Sequence, residues 1–312
     1  MSLSAAGAWA PAASLASWRP GGLGGLTSAR NVQGLEPRPG PGSDAGPVSL
    51  GIADLHTHMI PGVDDGAPDL ESALDALQTL WQDGVTAVVA TPHLQASRVD
   101  GSRRKLVEEA WRELRAAVAE SLPDLTLERG FEISLDVPRL DLQDEALRLG
   151  GTRFVLVEFH GFTIPQRSAE VLGSIVAEGY VPVLAHPERY WGYDRPLSIV
   201  PEWRAAGVLI QLNGGSLLGE NGDGIRARAL RFLSSGWVDL IASDNHARPE
   251  RCLSLRRVWD YLVARDLEEP ARLLLEENPH RILKDESPWV VGSVEDSGGF
   301  FSKMIRAFKR GR

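Results

Sequence analysis

The sequence predicts an α/β fold in which parallel strands form a distorted barrel of about seven strands. From residue 50 onward, apolar segments rich in Val, Ile and Leu alternate with amphipathic segments of helical period, as in repeated βα units. The apolar segments show little polar alternation, which indicates burial on both faces of a parallel sheet. Nearly every strand also ends at a metal-ligand residue type, as in barrels, where sites form at strand carboxyl ends. An open doubly wound sheet would instead concentrate such residues at one switch point.

Each βα unit is delimited by its apolar segment and the helical pattern that follows. Asp69 is placed to cap the first helix. The predicted strands cover 50–54, 86–91, 125–132, 153–159, 181–185, 208–213 and 238–243. The predicted helices cover 70–83, 102–120, 166–178, 197–206, 223–235 and 250–265.

Composition limits the class of protein. The 312 residues carry a net charge of −9, which argues against nucleic-acid binding. One cysteine, Cys252, allows no disulfide within the chain, so a reducing compartment is expected. No apolar run approaches the ~20 residues of a membrane helix. We therefore expect a cytoplasmic protein.

Three segments are predicted. Residues 1–48 are rich in Ala, Gly, Pro and Ser, a composition typical of a disordered extension. Residues 49–285 form the barrel, and residues 286–312 form a linker and a basic tail. In the tail, apolar residues recur at helical spacing between basic ones, which predicts an amphipathic helix that docks on an anionic membrane surface or a partner. The same helix could instead pack on the barrel.

The strand ends predict a metal site. His56 and His58 lie two apart in extended chain, so their side chains point to the same side. The other candidate ligands at strand ends are His93, Glu132, Glu158, His186, Asp244 and His246. Imidazole and carboxylate without thiolate suit Mn, Fe or Zn. Eight ligands exceed the needs of one ion, so two or three metals are predicted. His160 lies two residues past Glu158 and is left out of the site.

Several neighbouring residues are candidates for the chemistry. Asp64 and Asp65 precede a glycine and either form a plain turn or place a carboxylate in the site as a ligand or proton carrier. Arg189 follows His186 closely and can bind phosphate bidentately or pair with a carboxylate. Arg248 and Arg251, just past the Asp-Asn-His motif, are similar candidates. No phosphate-binding Gly-Lys-Ser/Thr loop or Gly-x-Ser-x-Gly nucleophile elbow is present.

The motifs in chain order resemble those of a known family. They are Asp-Leu-His-Thr-His, Val-Asp-Asp-Gly, Ala-Thr-Pro-His, Phe-Glu-Ile, Val-Glu-Phe, Ala-His-Pro-Glu-Arg-Tyr, Ala-Ser-Asp-Asn-His and Asn-Pro-His-Arg-Ile. This series resembles the polymerase and histidinol phosphatase (PHP) superfamily, in its branch of bacterial metal-dependent tyrosine-protein phosphatases of capsular and exopolysaccharide biosynthesis. The resemblance covers roughly residues 50–285.

The resemblance implies a distorted TIM-like (β/α)7 barrel, a trinuclear manganese site built from the eight ligands, and phosphate binding by Arg189 and Arg248. The implied function is hydrolysis of phosphotyrosine on a tyrosine autokinase of polysaccharide export, with Asp65 or His246 able to move a proton. Two alternatives stay open. One is a phosphoesterase of the same fold acting on histidinol phosphate or a nucleotide. The other is a metal-binding scaffold that docks a kinase without catalysis.

Overall fold

The structure, a computed structural model, describes most of the chain after the N-terminal extension. The described residues are 50–99, 102–137, 140–190, 197–249, 251–295, Gly299 and Phe301. The predicted disordered extension and most of the basic tail lie outside them. None of the helices within the described residues combines the length and the apolar character needed to cross a membrane.

Nine strand segments form two parallel sheets. They are β1 Ile52–Thr57, β2 Val85–Ala90, β3 His93–Gln95, β4 Thr126–Arg129, β5 Glu132–Leu135, β6 Phe154–Phe159, β7 Val181–Ala185, β8 Leu209–Asn213 and β9 Leu240–Ala242. The first sheet has the order β1-β2-β4, and the second has the order β3-β5-β6-β7-β8-β9. All strand pairs are parallel.

The two sheets are joined by two broken strands. β2 continues into β3 past Pro92, which has no N–H for a ladder hydrogen bond. β4 continues into β5 past Gly130, which lies close to the backbone of Arg148. Hydrogen bonds still cross the breaks, because the N–H of Gly130 donates to Ala90 and that of Glu132 to Pro92. The nine segments therefore follow seven strand paths, and one predicted strand, 125–132, corresponds to both β4 and β5.

The first and last strands meet at their carboxyl ends. The N–H of His58 donates to the carbonyl of Asn245 at 2.8 Å, and the N–H of Asp244 donates to the carbonyl of His56 at 2.9 Å. These contacts bring the residues after β9 beside those of β1. The predicted parallel, barrel-like α/β architecture is confirmed.

Helices cover the outside of the strands. They are α1 Leu70–Gln82, α2 Ser102–Ser121, α3 Ser168–Ala177, α4 Val200–Ala205, α5 Gly214–Leu218, α6 Asp223–Ser234, α7 Leu255–Val263, α8 Glu268–Arg272 and α9 Asn278–Leu283. In α1, Asp69 accepts a hydrogen bond from the N–H of Ser72, as the capping prediction requires. Ala73, Leu77 and Leu80 form its buried face.

The sequence prediction missed the short helix α5 and the long helical stretch that follows α7. α8, a π-helical turn over Leu273–Glu277 and α9 run without interruption. Pro270 and Pro279 suggest breaks in this stretch, but each lies in the first turn of its helix, where a missing N–H costs little. The predicted helix 250–265 is shorter than expected and begins at Leu255.

The core has two layers. The larger layer lies between strands and helices. The smaller one is formed by Ala53, Leu55, Ala87, Val89, Leu149, Phe154, Leu156, Val183, Ala185, Leu240 and Ile282. Because strands that are not neighbours contribute to it, this smaller layer fills the barrel interior. Polar residues that follow it along the strands therefore face one common space.

The start of the predicted linker lies against the barrel. The amide of Asn278, which is fully buried, donates to the carbonyl of Trp289 and accepts from its N–H at 2.9 and 2.7 Å. Val291, Val294 and Phe301 are buried in the main core. The amphipathic tail beyond Phe301 lies outside the described residues and stays a prediction.

Candidate metal centre and phosphate site

The carboxyl ends of the strands surround one cavity of about 640 Å³. All eight predicted ligands lie in or under it. The residues that line it are Asp64, Asp65, His93, Leu94, Gln95, Arg98, Glu132, Ser134, Glu158, His160, Gly161, Phe162, His186, Arg189, Asp244 and Arg251. His56, His58 and His246 are fully buried beneath them.

Glu132 is the centre of the ligand cluster. It is the first residue of β5, directly after the strand break, and it is fully buried. Its Oε1 lies 2.8 Å from His186 Nε2, and its Oε2 lies 2.9 Å from His93 Nδ1. The same Oε2 lies 3.3 Å from His56 Nε2 and 3.4 Å from His58 Nε2. One carboxylate thus contacts four predicted ligands.

A bulge in β1 aims the two leading histidines. Between Asp54 and Thr57, β1 advances three residues while β2 advances two. Such a bulge re-aims side chains, because two successive residues then oppose one. Leu55 consequently packs in the barrel interior, while His56 and His58 both reach the cluster, with their Nε2 atoms 3.3 Å apart.

Polar partners fix the orientation of both imidazoles. Gln211 Oε1 lies 3.0 Å from His56 Nδ1, and Asp64 Oδ2 lies 2.7 Å from His58 Nδ1. Asp64 also accepts hydrogen bonds from the N–H groups of His93 and Gly66. Asp64 therefore fixes the His58 ring through Nδ1 and leaves Nε2 directed at the cluster, as the hydrogen-bond partners of metal-binding histidines do.

Burial shifts the pKa of Glu158, His186 and His246, and it lowers the pKa of the His246 imidazole. Burial, followed by the nearby carboxylate of Glu132, raises the pKa of Glu158 to about 8. Burial lowers the pKa of His186 to about 4, which keeps its imidazole neutral at pH 7, the form that binds metal. Packing several carboxylates together in this way is costly without a cation.

Two of the predicted ligands have unusual backbone conformations. His186 has a φ of 33° and Asp244 a φ of 55°, both in the left-handed region that non-glycine residues rarely adopt. Each directly follows or nearly follows a buried strand, β7 or β9. Strain of this kind persists where the surroundings determine it and is concentrated at functional sites.

Asp65 lies at the rim with His93 and His246. Its carboxylate is 3.5 Å from His93 Nε2 and 3.5 Å from His246 Nε2. Arg251 Nη1 donates to it at 2.7 Å. The imidazole of His246 is the main cause that lowers the pKa of the Asp65 carboxyl, with smaller contributions from His93 and from the hydrogen bond that Arg251 donates. Asp65 is therefore ionised and faces the cluster.

Two of the candidate arginines line the cavity, and the third binds the backbone beside it. Arg189 Nη1 donates to Asp244 Oδ2 at 2.7 Å, and its guanidinium lies over the ring of Phe162. Arg251 lines the cavity. Arg248 does not line it, and donates instead to the backbone carbonyl of Asp65 at 2.8 Å. The geometry thus favours Arg251 over Arg248 as the second anion-facing arginine.

The residues present fit bound divalent metals. Four overlapping groups bring ligand atoms within 4.8 Å of one another: His58-Asp65-His93-His246, His56-His58-Asp244, His56-Glu132-His186 and His93-Glu132-Glu158. Glu132 Oε2 and His246 Nε2 are buried and make no hydrogen bond among the described residues. A buried oxygen or nitrogen without a hydrogen-bond donor is costly, and a bound cation would supply the missing partner for both atoms.

Some site residues were not found from the sequence. Gln211 and Asn213 at the end of β8 are absent from the predicted site, yet Gln211 Oε1 lies 3.0 Å from His56 Nδ1 and the Asn213 amide donates to Asp244 at 3.0 Å. Phe162 and Arg98 carry no motif and reach the cavity through turns. His160 also lines the cavity, and its Nδ1 lies 3.2 Å from Ser134 Oγ, outside the four ligand groups.

Comparison with known proteins agrees with the motifs. A sequence profile described as "Capsular polysaccharide synthesis, CpsB/CapC" matches residues 52–284. The tyrosine-protein phosphatase YwqE of Bacillus subtilis is 27% identical over 239 residues, which cover 76% of this chain and 93% of YwqE. The tyrosine-protein phosphatase CpsB of Streptococcus pneumoniae is 27% identical and aligns with 75% of this chain and 99% of its own length.

A solved structure shares the fold. It comes from work on YwqE from Bacillus subtilis and CpsB from Streptococcus pneumoniae, described as unique metal-dependent tyrosine phosphatases. It superposes with a TM-score of 0.66 at 24% identity and covers 78% of this chain and 100% of its own. The resemblance drawn from the motifs is confirmed.

Replacing Gly66 with alanine should disrupt the centre. A Cβ at Gly66 would lie 2.2 Å from the carbonyl oxygen of His58 and 2.9 Å from Asp64 Oδ1. Because neither backbone nor ligand support can move freely, we expect Gly66→Ala to lose most bound divalent metal, measured by elemental analysis of the purified protein. Gly292→Ala, where a Cβ meets nothing within 4 Å, is the control. Full metal content in Gly66→Ala would contradict the assigned geometry.

Proposed function

The chain belongs to the CpsB/CapC family of capsular polysaccharide synthesis, and from this premise we propose that it is a metal-dependent phosphatase that hydrolyses phosphotyrosine on a protein. The observation that carries the proposal is that four candidate metal-ligand groups and three arginines, Arg98, Arg189 and Arg251, meet around one cavity. The names of the relatives, tyrosine-protein phosphatases YwqE and CpsB, support the same activity.

Manganese is the proposed metal, with zinc or iron(II) as alternatives. Its ligands would be the eight residues that the sequence predicts, with Asp65 able to join them. Two or three divalent ions, when bound, would bring coordinated water to a pKa near ~7 and draw charge from phosphoryl oxygens. The imidazole and carboxylate set is compatible with this group of metals.

The protein's own residues would bind the phosphoryl group and move protons. Arg189 and Arg251 face the cavity, and a guanidinium can stabilise charge on phosphoryl oxygens through paired hydrogen bonds. The leaving phenolate of tyrosine has a pKa of ~10, so it needs less help from a proton donor than an alkoxide does. The ionised Asp65 and the adjacent His246 are the candidates for moving protons at the rim.

The proposed substrate is the phosphotyrosine of a tyrosine autokinase in polysaccharide export, with the protein acting in the cytoplasm. The cavity has an exposed rim. This favours a protein substrate, because the phosphotyrosine of another chain must enter the cavity from solvent. His160 and Arg98 are exposed at that rim.

The direct test is a comparison of three substrates. We expect the manganese-loaded protein to hydrolyse a phosphotyrosine peptide with a higher kcat/KM than histidinol phosphate or a nucleoside monophosphate, measured by phosphate release. Turnover confined to either small molecule would support a small-molecule phosphoesterase instead. Metal binding without turnover of any of the three would indicate a non-catalytic scaffold.

The substitution Arg189→Lys tests whether phosphate binding needs the planar guanidinium or only its positive charge. Lysine keeps the positive charge but loses the planar fork, so we expect kcat/KM on the phosphotyrosine peptide to fall roughly 10²-fold. Arg167→Lys, at an exposed arginine paired with Glu170, is the matched control. Elemental analysis should show the same bound metal in both variants. An unchanged kcat/KM in Arg189→Lys would rule out phosphate binding by Arg189.

The predicted docking of the basic tail has its own test. Phe301 is buried in the core, so truncation should begin after it. We expect a chain ending at Phe301 to retain peptide turnover and to bind anionic vesicles less than the full chain in a sedimentation assay. Equal vesicle binding by both chains would exclude membrane docking through the tail.

A further inference from the structure

Phe162 is held at the cavity in an unusual backbone conformation. It ends a short turn after β6, in which Gly161 has a φ of 64° and Phe162 a φ of 55°. Two successive residues in the left-handed region are costly when the second is bulky and aromatic. An observed outlier of this kind, at the edge of a site, points to a role for the side chain it positions.

The Phe162 ring is braced by residues that follow β7. Its centroid lies 5.4 Å from that of His186 and 6.1 Å from that of Tyr190. The Arg189 guanidinium carbon lies 4.9 Å from the ring centroid, within the range of a cation–π contact. The ring is half-buried and also lines the cavity. It therefore presents a fixed apolar surface directly beside the proposed phosphate-binding arginine.

The rest of the cavity lining offers little apolar surface. Among the described lining residues, the other large apolar side chain is Leu94, which is 2% exposed. Most of the remaining lining side chains are charged or polar. An aromatic group entering this cavity would therefore find its apolar contact at Phe162.

We propose that Phe162 is a specificity-determining residue that contacts the aromatic ring of a phosphotyrosine whose phosphoryl group lies at Arg189. This inference rests on the proposed function and adds the basis of discrimination between aryl and alkyl phosphates. Aromatic pairs gain from offset or edge-to-face contact beyond simple burial, and an alkyl phosphate cannot make that contact. Phe162 contacts the leaving group and takes no part in moving protons.

The alternative is that the Phe162 ring only positions Arg189 and makes no contact with the substrate. The two roles differ in a measurable way. Loss of Arg189 positioning weakens every phosphoryl ligand equally, because all of them share the same anionic group. Loss of an aryl contact weakens aryl ligands selectively.

Two phosphonates that cannot be hydrolysed separate these roles. Dissociation constants of phenylphosphonate and methylphosphonate should be measured by calorimetry on the metal-loaded full chain. The variants are Phe162→Leu, which keeps an apolar side chain without the ring, and Phe162→Tyr, which keeps the ring. Trp289→Leu, at a tryptophan that is 54% exposed and outside the cavity lining, is the control.

We expect the wild type to bind phenylphosphonate more tightly than methylphosphonate. Phe162→Leu should reduce this preference about 3- to 10-fold, while Phe162→Tyr and Trp289→Leu should keep it. Equal weakening of both ligands in Phe162→Leu, or a wild type without preference, would overturn the proposal. Because binding is measured without turnover, a wild type that prefers phenylphosphonate but leaves the phosphotyrosine peptide intact would refute the proposed function and not the aryl contact.

Discussion

The buried carboxylate of Glu132 is the constraint on which the rest of the site depends. A lone carboxylate in a protein interior is costly unless it is paired or bound to a cation. Here it contacts the imidazoles of four strand-end histidines within 3.4 Å. Those histidines come from three parts of the chain, at the end of β1, the start of β3 and directly after β7, so the carboxylate and the group that neutralises it hold these strands together at the site.

Irregular backbone places that carboxylate and its partners. Regular parallel strands would direct alternate side chains to opposite faces. The break at Gly130, the bulge after Asp54 and the left-handed residues His186 and Asp244 each depart from that rule at the same end of the barrel. The regular parts of the strands below them build the apolar interior. The fold thus separates a regular, stabilising half from an irregular, ligand-bearing half.

Sequence reasoning recovered the strand ends and their ligand types, because hydrophobic runs and polar termini are local signals. It did not recover the strand break between β4 and β5, since a single glycine, Gly130, within a segment of strand-like sequence does not by itself mark a break. The support given by Gln211 depends on contacts far apart in sequence, which no local pattern records. Arg248 is nearer to His246 in the chain than Arg251 is, and only the backbone path after β9 decides that Arg251 lines the cavity.

Metal binding at the proposed centre would couple folding to the supply of metal, because the backbone at His186 and Asp244 is strained. Each left-handed non-glycine residue costs of order 1–3 kcal/mol, and the crowded carboxylates add repulsion. A cation that binds the folded chain alone stabilises it by about 2.7 kcal/mol when its free concentration is 100 times its dissociation constant. It follows that metal scarcity would shorten the lifetime of the folded protein and would also lower the fraction of chains that hold metal. Cellular abundance of the chain would then track the divalent metal pool.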